Sequence, residues 1–230
     1  VIIQKCMGTS HGAGVFLYGT NTTLTVGGAD THVIIQDNVG VHGGGLLVSS
    51  GANVVVIGGA LLAVRNNTAE KSSGGGIFME ASARLAVSGI GTKVTISNNS
   101  AGESGGGLFA ITQASVIVDG GALLAIRHNA AILNGGGGAY LVANSTLKVT
   151  GNATQVFVES NTGGTFGGGL FVINGAHVLF NGGALLAVRN NAVTDYGGGL
   201  CVAAGRLTAS GTGTRVMISN NSAGESGGGL

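Results

Sequence analysis

Apolar and polar residues alternate in short runs along this chain, and the runs recur in sets of three. In Arg84-Leu85-Ala86-Val87 and in Lys93-Val94-Thr95-Ile96 the large apolar side chains stand two apart, and Gly76-Ile77-Phe78-Met79 precedes both. Gly, Asn or Ser closes each run, and these are the residues that punctuate strands. Runs this short and this rich in β-branched residues predict strands rather than helices.

The set repeats along the whole chain. Gly105-Gly106-Gly107-Leu108-Phe109 marks one copy, and the last Gly of each copy falls at Gly14, Gly45, Gly76, Gly107, Gly138, Gly169, Gly199 and Gly229. The spacing is 31 residues five times and then 30 twice. A fixed period of this size marks a solenoid, in which each repeat stacks on the next.

Aligned turns give aliphatic columns. The first strand carries Leu46, Ile77, Leu108 and Leu170, the second Val54, Leu85, Val116 and Val178, the third Leu62, Val94, Leu124 and Val156. A second aliphatic column follows two residues later in each strand, while the positions between them vary, as at Thr25, Lys148 and Glu159. Period two with one face always apolar means that the inner faces of three strands share a core. The expected fold is therefore all-β: a right-handed parallel β-helix with about 31 residues and three strands per turn, its hand following the usual crossover rule. Residues 1–230 form one continuous array of about seven turns, a rod of roughly 34 Å.

Two further columns stand out. Apolar-x-x-Asn closes the third strand at Asn38, Asn67, Asn99, Asn129, Asn161, Asn191 and Asn221. Asn tolerates left-handed φ, and stacked amides can bond along the rod, so we read a structural ladder. In the first strand, Phe16, Leu47, Phe78, Phe109, Tyr140 and Phe171 follow the inward aliphatic directly. By alternation this stripe faces out, and an exposed apolar stripe predicts a cover: a neighbouring rod or another segment of the same protein.

A longer period is superimposed. GGALLAVRNN occurs at 58–67 and 182–191, and ISNNSAGESGGGL at 96–108 and 218–230, so two kinds of turn alternate. The Gly-Gly-(Gly/Ala)-(Leu/Ile) motif and the apolar-x-x-Asn motif together resemble the repeats of chlamydial polymorphic outer membrane proteins. That resemblance implies a surface autotransporter with a β-helical passenger region and an adhesive role.

Composition narrows the choice. Gly is 47 of 230 residues and Pro is absent, with no Gly-x-x triplet period, which excludes collagen. With 44% apolar and 8% charged residues the chain can bury a core. A net charge of +1 gives no reason to expect nucleic acid as a partner. The uncharged run at 45–64 is long enough to span a bilayer, but it is one copy of the repeat with Ser49-Ser50-Gly51-Ala52-Asn53 inside it, so no membrane span is expected. Because the chain begins at Val1 without Met or signal peptide, and stops one residue into a new copy of the motif, we expect an internal piece of a longer protein.

Candidate chemistry is sparse. Glu103, Asp195 and Glu225 each stand four before their Gly. Glu103 and Asp195 are three turns apart, about 14 Å, too far for a carboxyl pair; Asp195 and Glu225 on adjacent turns are close enough for a weak cation site, but the preferred reading is solvated loop charges. Arg127, Glu159 and Arg189 read as a surface charge ladder. His11, His32, His42, His128 and His177 are assigned to different columns, so no metal cluster is expected. Cys6 and Cys201 lie more than six turns apart and are expected to stay unbonded. Asn-x-Ser/Thr sequons stand at Asn21, Asn66, Asn98, Asn144, Asn152 and Asn220, and Asn66, Asn98 and Asn220 share a column beside the ladder, an edge open to glycans in a secreted eukaryotic protein. No catalytic, cofactor-binding or metal residue is assigned. The sequence reads as a non-enzymatic structural segment of an extracellular or cell-surface protein, a stalk, fibre or adhesin. Its rival is a carbohydrate-active β-helix enzyme of the lyase or hydrolase class.

Overall fold

The computed structural model describes residues 1–230. It contains 29 strands and no helix, and every pairing between strands is parallel. One turn shows the plan. Leu108–Ala110, Ser115–Asp119, Leu123–Arg127 and Ala130–Ala131 follow one another, each in its own sheet. Each pairs with the equivalent strand one turn before and one turn after: Leu108 lies beside Ile77 and Ala139, and Val116 beside Leu85 and Leu147. The turns therefore stack into a parallel β-solenoid of about seven turns.

The structure has four sheets, where three were expected. The extra sheet consists of two-residue strands such as Ser100–Ala101, inside the segment read as a polar connection. The chain is held there because Ser100 N–H donates to Asn67 O and Ala130 N–H to Asn99 O, both at 2.9 Å. Ala69, Ala101 and Ala131 are buried there.

The expected inner columns form the core. Leu62, Val94, Leu124, Val156 and Leu186 are all fully buried, in one cluster of 41 buried residues running the length of the rod. Burial alternates as the sequence predicts: Ser115–Asp119 reads half-buried, buried, half-buried, buried, half-buried. Each buried aliphatic contributes about 1.5–3 kcal/mol. The run at 45–64 is spent on three strands, Leu46–Ser49, Asn53–Ile57 and Leu61–Arg65, and no helix is long and apolar enough to cross a membrane.

The glycine triplet serves three ends at once. Gly105 has φ +60°, a conformation that costs any side-chain-bearing residue energy. A Cβ on Gly106 would overlap Ala130 O, and one on Gly107 would sit 2.6 Å from Gly138 O and 2.9 Å from Asn129 Nδ2. Neighbouring turns thus approach through bare backbone, which is why the triplet recurs at every turn from Gly43-Gly44-Gly45 on.

The two-turn period has its own cause at the corner between the second and third strands. There the inward residue alternates between Thr92, Thr154 and Thr214 and the fully buried Ala60, Ala122 and Ala184. Thr154 Oγ1 donates to Thr150 O and accepts the N–H of Gly121 in the preceding turn, both at 2.9 Å. Thr92 does the same between Ser88 O and Gly59 N–H, and Thr214 between Ser210 O and Gly183 N–H. A Thr-type turn satisfies the corner amide that its Gly-Gly-Ala partner leaves open, so the two kinds of turn fit best as a pair.

Candidate functional site

The ladder is a continuous hydrogen-bonded column inside the rod. Asn67 Nδ2 and Asn67 N–H both donate to Asn99 Oδ1, at 3.0 Å each, and Asn99 repeats the arrangement with Asn129. The second Nδ2 hydrogen reaches a strand carbonyl one turn back: Asn99 to Val64 O at 3.1 Å, Asn129 to Ile96 O and Asn161 to Ile126 O at 3.0 Å. The same links run through Asn38, Asn161, Asn191 and Asn221. Asn38, Asn67, Asn99, Asn129, Asn161 and Asn191 are buried, and only Asn221 is half-exposed. Such an amide has no hydrogen left for a ligand, so the ladder ties turns together.

One part of that reading changes. The left-handed residue is not the ladder Asn but the one before it, with φ between +53° and +57° at Asp37, Asn66, Asn98, His128, Ser160, Asn190 and Asn220. A ladder Asn must point inward to meet its neighbours, and the residue before it makes the turn that aims it there.

The sequon residues follow from this geometry. Asn21, Asn66, Asn98, Asn144, Asn152 and Asn220 are all exposed. Asn66, Asn98, Asn144 and Asn220 carry positive φ, which Asn bears better than most residues. In the sequon at Asn152 the hydroxyl partner is Thr154, already committed to its corner.

The outward stripe lies outside the main core, as alternation predicts, but it is not open. Leu47, Phe78, Phe109 and Phe171 are between 2% and 8% exposed, and Tyr140 is half-buried. Phe16 alone stands out, 49% exposed. Two things cover the others. The rings stack on one another, Phe78 on Phe109 at 5.1 Å and Phe109 on Tyr140 at 5.3 Å, with Tyr140 edge-on to Phe171 at 4.9 Å. The glycine-rich segment also folds over them: a Cβ on Gly74 or Gly105 would come within 2.8–2.9 Å of the Phe78 or Phe109 Cβ. The stripe is a small second core on the outside of its sheet, joined by Val142, Ile111 and Ile173. Burial in it pushes the Tyr140 hydroxyl and the Cys201 thiol above their ordinary pKa values.

No protein-family model, curated protein or solved structure matches the chain.

Glu159 is buried between two cations. Arg189 Nε donates to Oε1 at 2.6 Å, and Arg127 Nε lies 2.9 Å from Oε2 but off its N–H axis, so that contact is ionic. Arg127 also lies over the Phe157 ring, 5.6 Å from its centre. Asp195 and Glu225 are on adjacent turns, joined by a backbone bond from Glu225 N–H to Asp195 O. Cys6 and Cys201 are unbonded. No three His, Cys, Asp or Glu side chains converge on a metal position.

The histidine assignment needs correction. His11 and His42 each stand three residues before the last Gly of their copy and so share a column. With Leu47, Phe78 and Glu80 they line one cavity of about 200 Å³. The spacing was readable in the sequence; that the two imidazoles border a gap beside Leu47 was not, because the path of the loop decides it.

Proposed function

We propose that this chain is a structural segment of an extracellular or cell-surface protein, a stalk, fibre or adhesin built from stacked turns. The observation that carries the reading is the unbroken Asn column from Asn38 to Asn221, which binds all seven turns into one rod with no interruption for a site. The glycine triplets and the Thr corners serve the same end. The buried carboxylate, Glu159, is neutralised by two arginines. The likeness of the Gly-triplet and apolar-x-x-Asn motifs to chlamydial polymorphic outer membrane proteins supports a surface location. The exposed sequon asparagines would carry glycans if the source glycosylates its surface proteins.

Antibody against the folded chain should label intact, unpermeabilised cells of the source organism, and protease added outside should remove the label. Signal only after permeabilisation would overturn the surface reading. Incubation with neutral and acidic polysaccharides tests the enzymatic rival: release of reducing ends or unsaturated products would replace the structural role with a lyase or hydrolase.

A further inference from the structure

Three columns change character together near the N-terminal end of the rod. The stripe is aromatic at Phe16, Phe78, Phe109, Tyr140 and Phe171 but has Leu47 in the second turn and Cys201 in the last. The column two residues on is aliphatic at Ile111, Val142 and Ile173 but has Ser49 and Glu80 towards the N-terminal end. The loop column over the stripe has small residues at Ser73, Ser104 and Gly135, phenyl-type rings at Phe166 and Tyr196 towards the C-terminal end, and imidazoles at His11 and His42 alone. Local departures from a fold's own pattern concentrate where a chain does something besides fold.

The N-terminal departures meet in the cavity of about 200 Å³ lined by His11, His42, Leu47, Phe78 and Glu80. Its floor is Leu47, shorter than the rings that fill this position in the turns on either side. The segments His11-Gly12 and His42-Gly43 both run against it: a Cβ on Gly12 or on Gly43 would lie 2.7 or 3.1 Å from the Leu47 Cβ. The His11 ring stacks on Phe16 at 5.6 Å and the His42 ring meets Phe78 edge-on at 5.4 Å, so aromatic surface stands at both ends of the gap. The sole charge in the lining is Glu80, half-buried and without an ion pair. His42 Nδ1 is buried with no hydrogen-bond partner in the chain.

An apolar floor, aromatic walls and one unpaired carboxylate select a cation with a flat apolar body. The volume is below that of drug-sized sites, ~300 Å³ and upward, which limits the body to a single ring. We propose that this cavity binds a small organic ammonium carrying one aromatic ring, an arylalkylamine. The ring takes the place that an aromatic side chain fills in the turns on either side, and the ammonium meets Glu80. The site is independent of the stalk or adhesin reading, and either can fail without the other.

Calorimetric titration of the folded chain with phenethylamine tests this, with phenylacetate (the same ring, opposite charge) and Zn²⁺ alone as comparisons. Phenethylamine should bind and phenylacetate should not. Glu80→Gln should weaken amine binding about tenfold, the loss of one charge-assisted hydrogen bond. Leu47→Phe should fill the gap and abolish binding while the β-sheet spectrum stays unchanged; if that variant does not fold, Glu80→Gln still decides. Absent amine binding, equal binding of phenylacetate, or an unchanged affinity in Glu80→Gln would overturn the proposal. So would saturable Zn²⁺ binding lost in His42→Ala with no response to the amine, which would make the pair of imidazoles a metal site instead.

Discussion

Asn99 gives both its backbone N–H and its side-chain Nδ2 to one atom, Oδ1 of Asn129, at 3.0 and 2.9 Å. One oxygen in one turn thereby fixes the main chain and the side chain of the turn before it. Because Asn129 in turn donates to Ile96 O and to Asn161 Oδ1, each ladder residue is bonded in both directions along the rod.

Asn129→Ala should therefore be among the most damaging single changes in the chain. It removes the acceptor for two buried donors on Asn99 and the Nδ2 donor to Ile96 O and Asn161 Oδ1, leaving the latter only the backbone N–H of residue 129. With a buried polar group left unpaired costing about 1–3 kcal/mol, the expected loss is several kcal/mol, read as a lower urea midpoint. Asn98→Gly, one residue before a ladder Asn, keeps the left-handed turn and should change the midpoint little. Equal losses from both variants would mean that the amide column is not what holds the turns.

The Thr corner makes a smaller and local prediction. Thr154→Val keeps the shape of the side chain but removes the acceptor for Gly121 N–H and the donor to Thr150 O. A loss of about 1–2 kcal/mol is expected, with Thr154→Ser recovering most of it. Amide exchange at Gly121 should quicken in the Val variant and not in the Ser variant. An unchanged Gly121 exchange rate would break the link between the alternating turns and this bond.

These two devices show what a sequence of this kind discloses. The inner columns were legible because alternation in register over seven turns leaves little freedom: Val94 and Leu124 could only face in, and both are fully buried. The Asn column was legible for the same reason. Which of two adjacent residues takes the left-handed turn was not, although the first position varies through Asp37, Asn66, His128 and Ser160 while the second is always Asn. Variation at the first position was the available signal, since several residue types tolerate a turn but only an amide continues the ladder. The fourth sheet was missed because two residues are too few to show alternation, though the small buried column through Gly40, Ala69 and Ala101 pointed to it. The cover over the stripe depends on where the glycine-rich segment runs, and bare backbone leaves no apolar pattern to read.

Alkaline pH should loosen the stripe. Burial raises the Tyr140 hydroxyl above its ordinary pKa of 10.0. The folded chain then holds that proton more tightly than the unfolded one does. The stability linked to Tyr140 is thus fully present below about pH 10 and is lost as pH rises through the folded value. Melting temperatures followed from pH 9 to 12 should fall more steeply for the native chain than for Tyr140→Phe. Parallel curves would show that this hydroxyl has no part in the alkaline loss.

The stripe itself allows a direct choice between core and interface. Phe109 is 8% exposed and sandwiched between Phe78 and Tyr140, whereas Phe16 is 49% exposed. If the column holds the turns together, Phe109→Ser should cost about 3 kcal/mol or more, as large-to-small changes in a packed core do, while Phe16→Ser should cost well under half as much. Urea unfolding of the two variants measures the difference, and sedimentation before unfolding measures association. A column that serves chiefly to hold a neighbouring rod would behave the other way: Phe109→Ser would unfold near the native midpoint but lose any self-association. The stacking at 5.1 and 5.3 Å and the overlying Gly105 favour the first outcome. On that outcome lateral contacts fall to what the stripe leaves uncovered, Phe16 and Tyr18, which are 49% and 65% exposed and pack against each other at 6.0 Å. Replacing both with Ser should then reduce association without moving the unfolding midpoint, and association that survives the pair of changes would place the contact on another face.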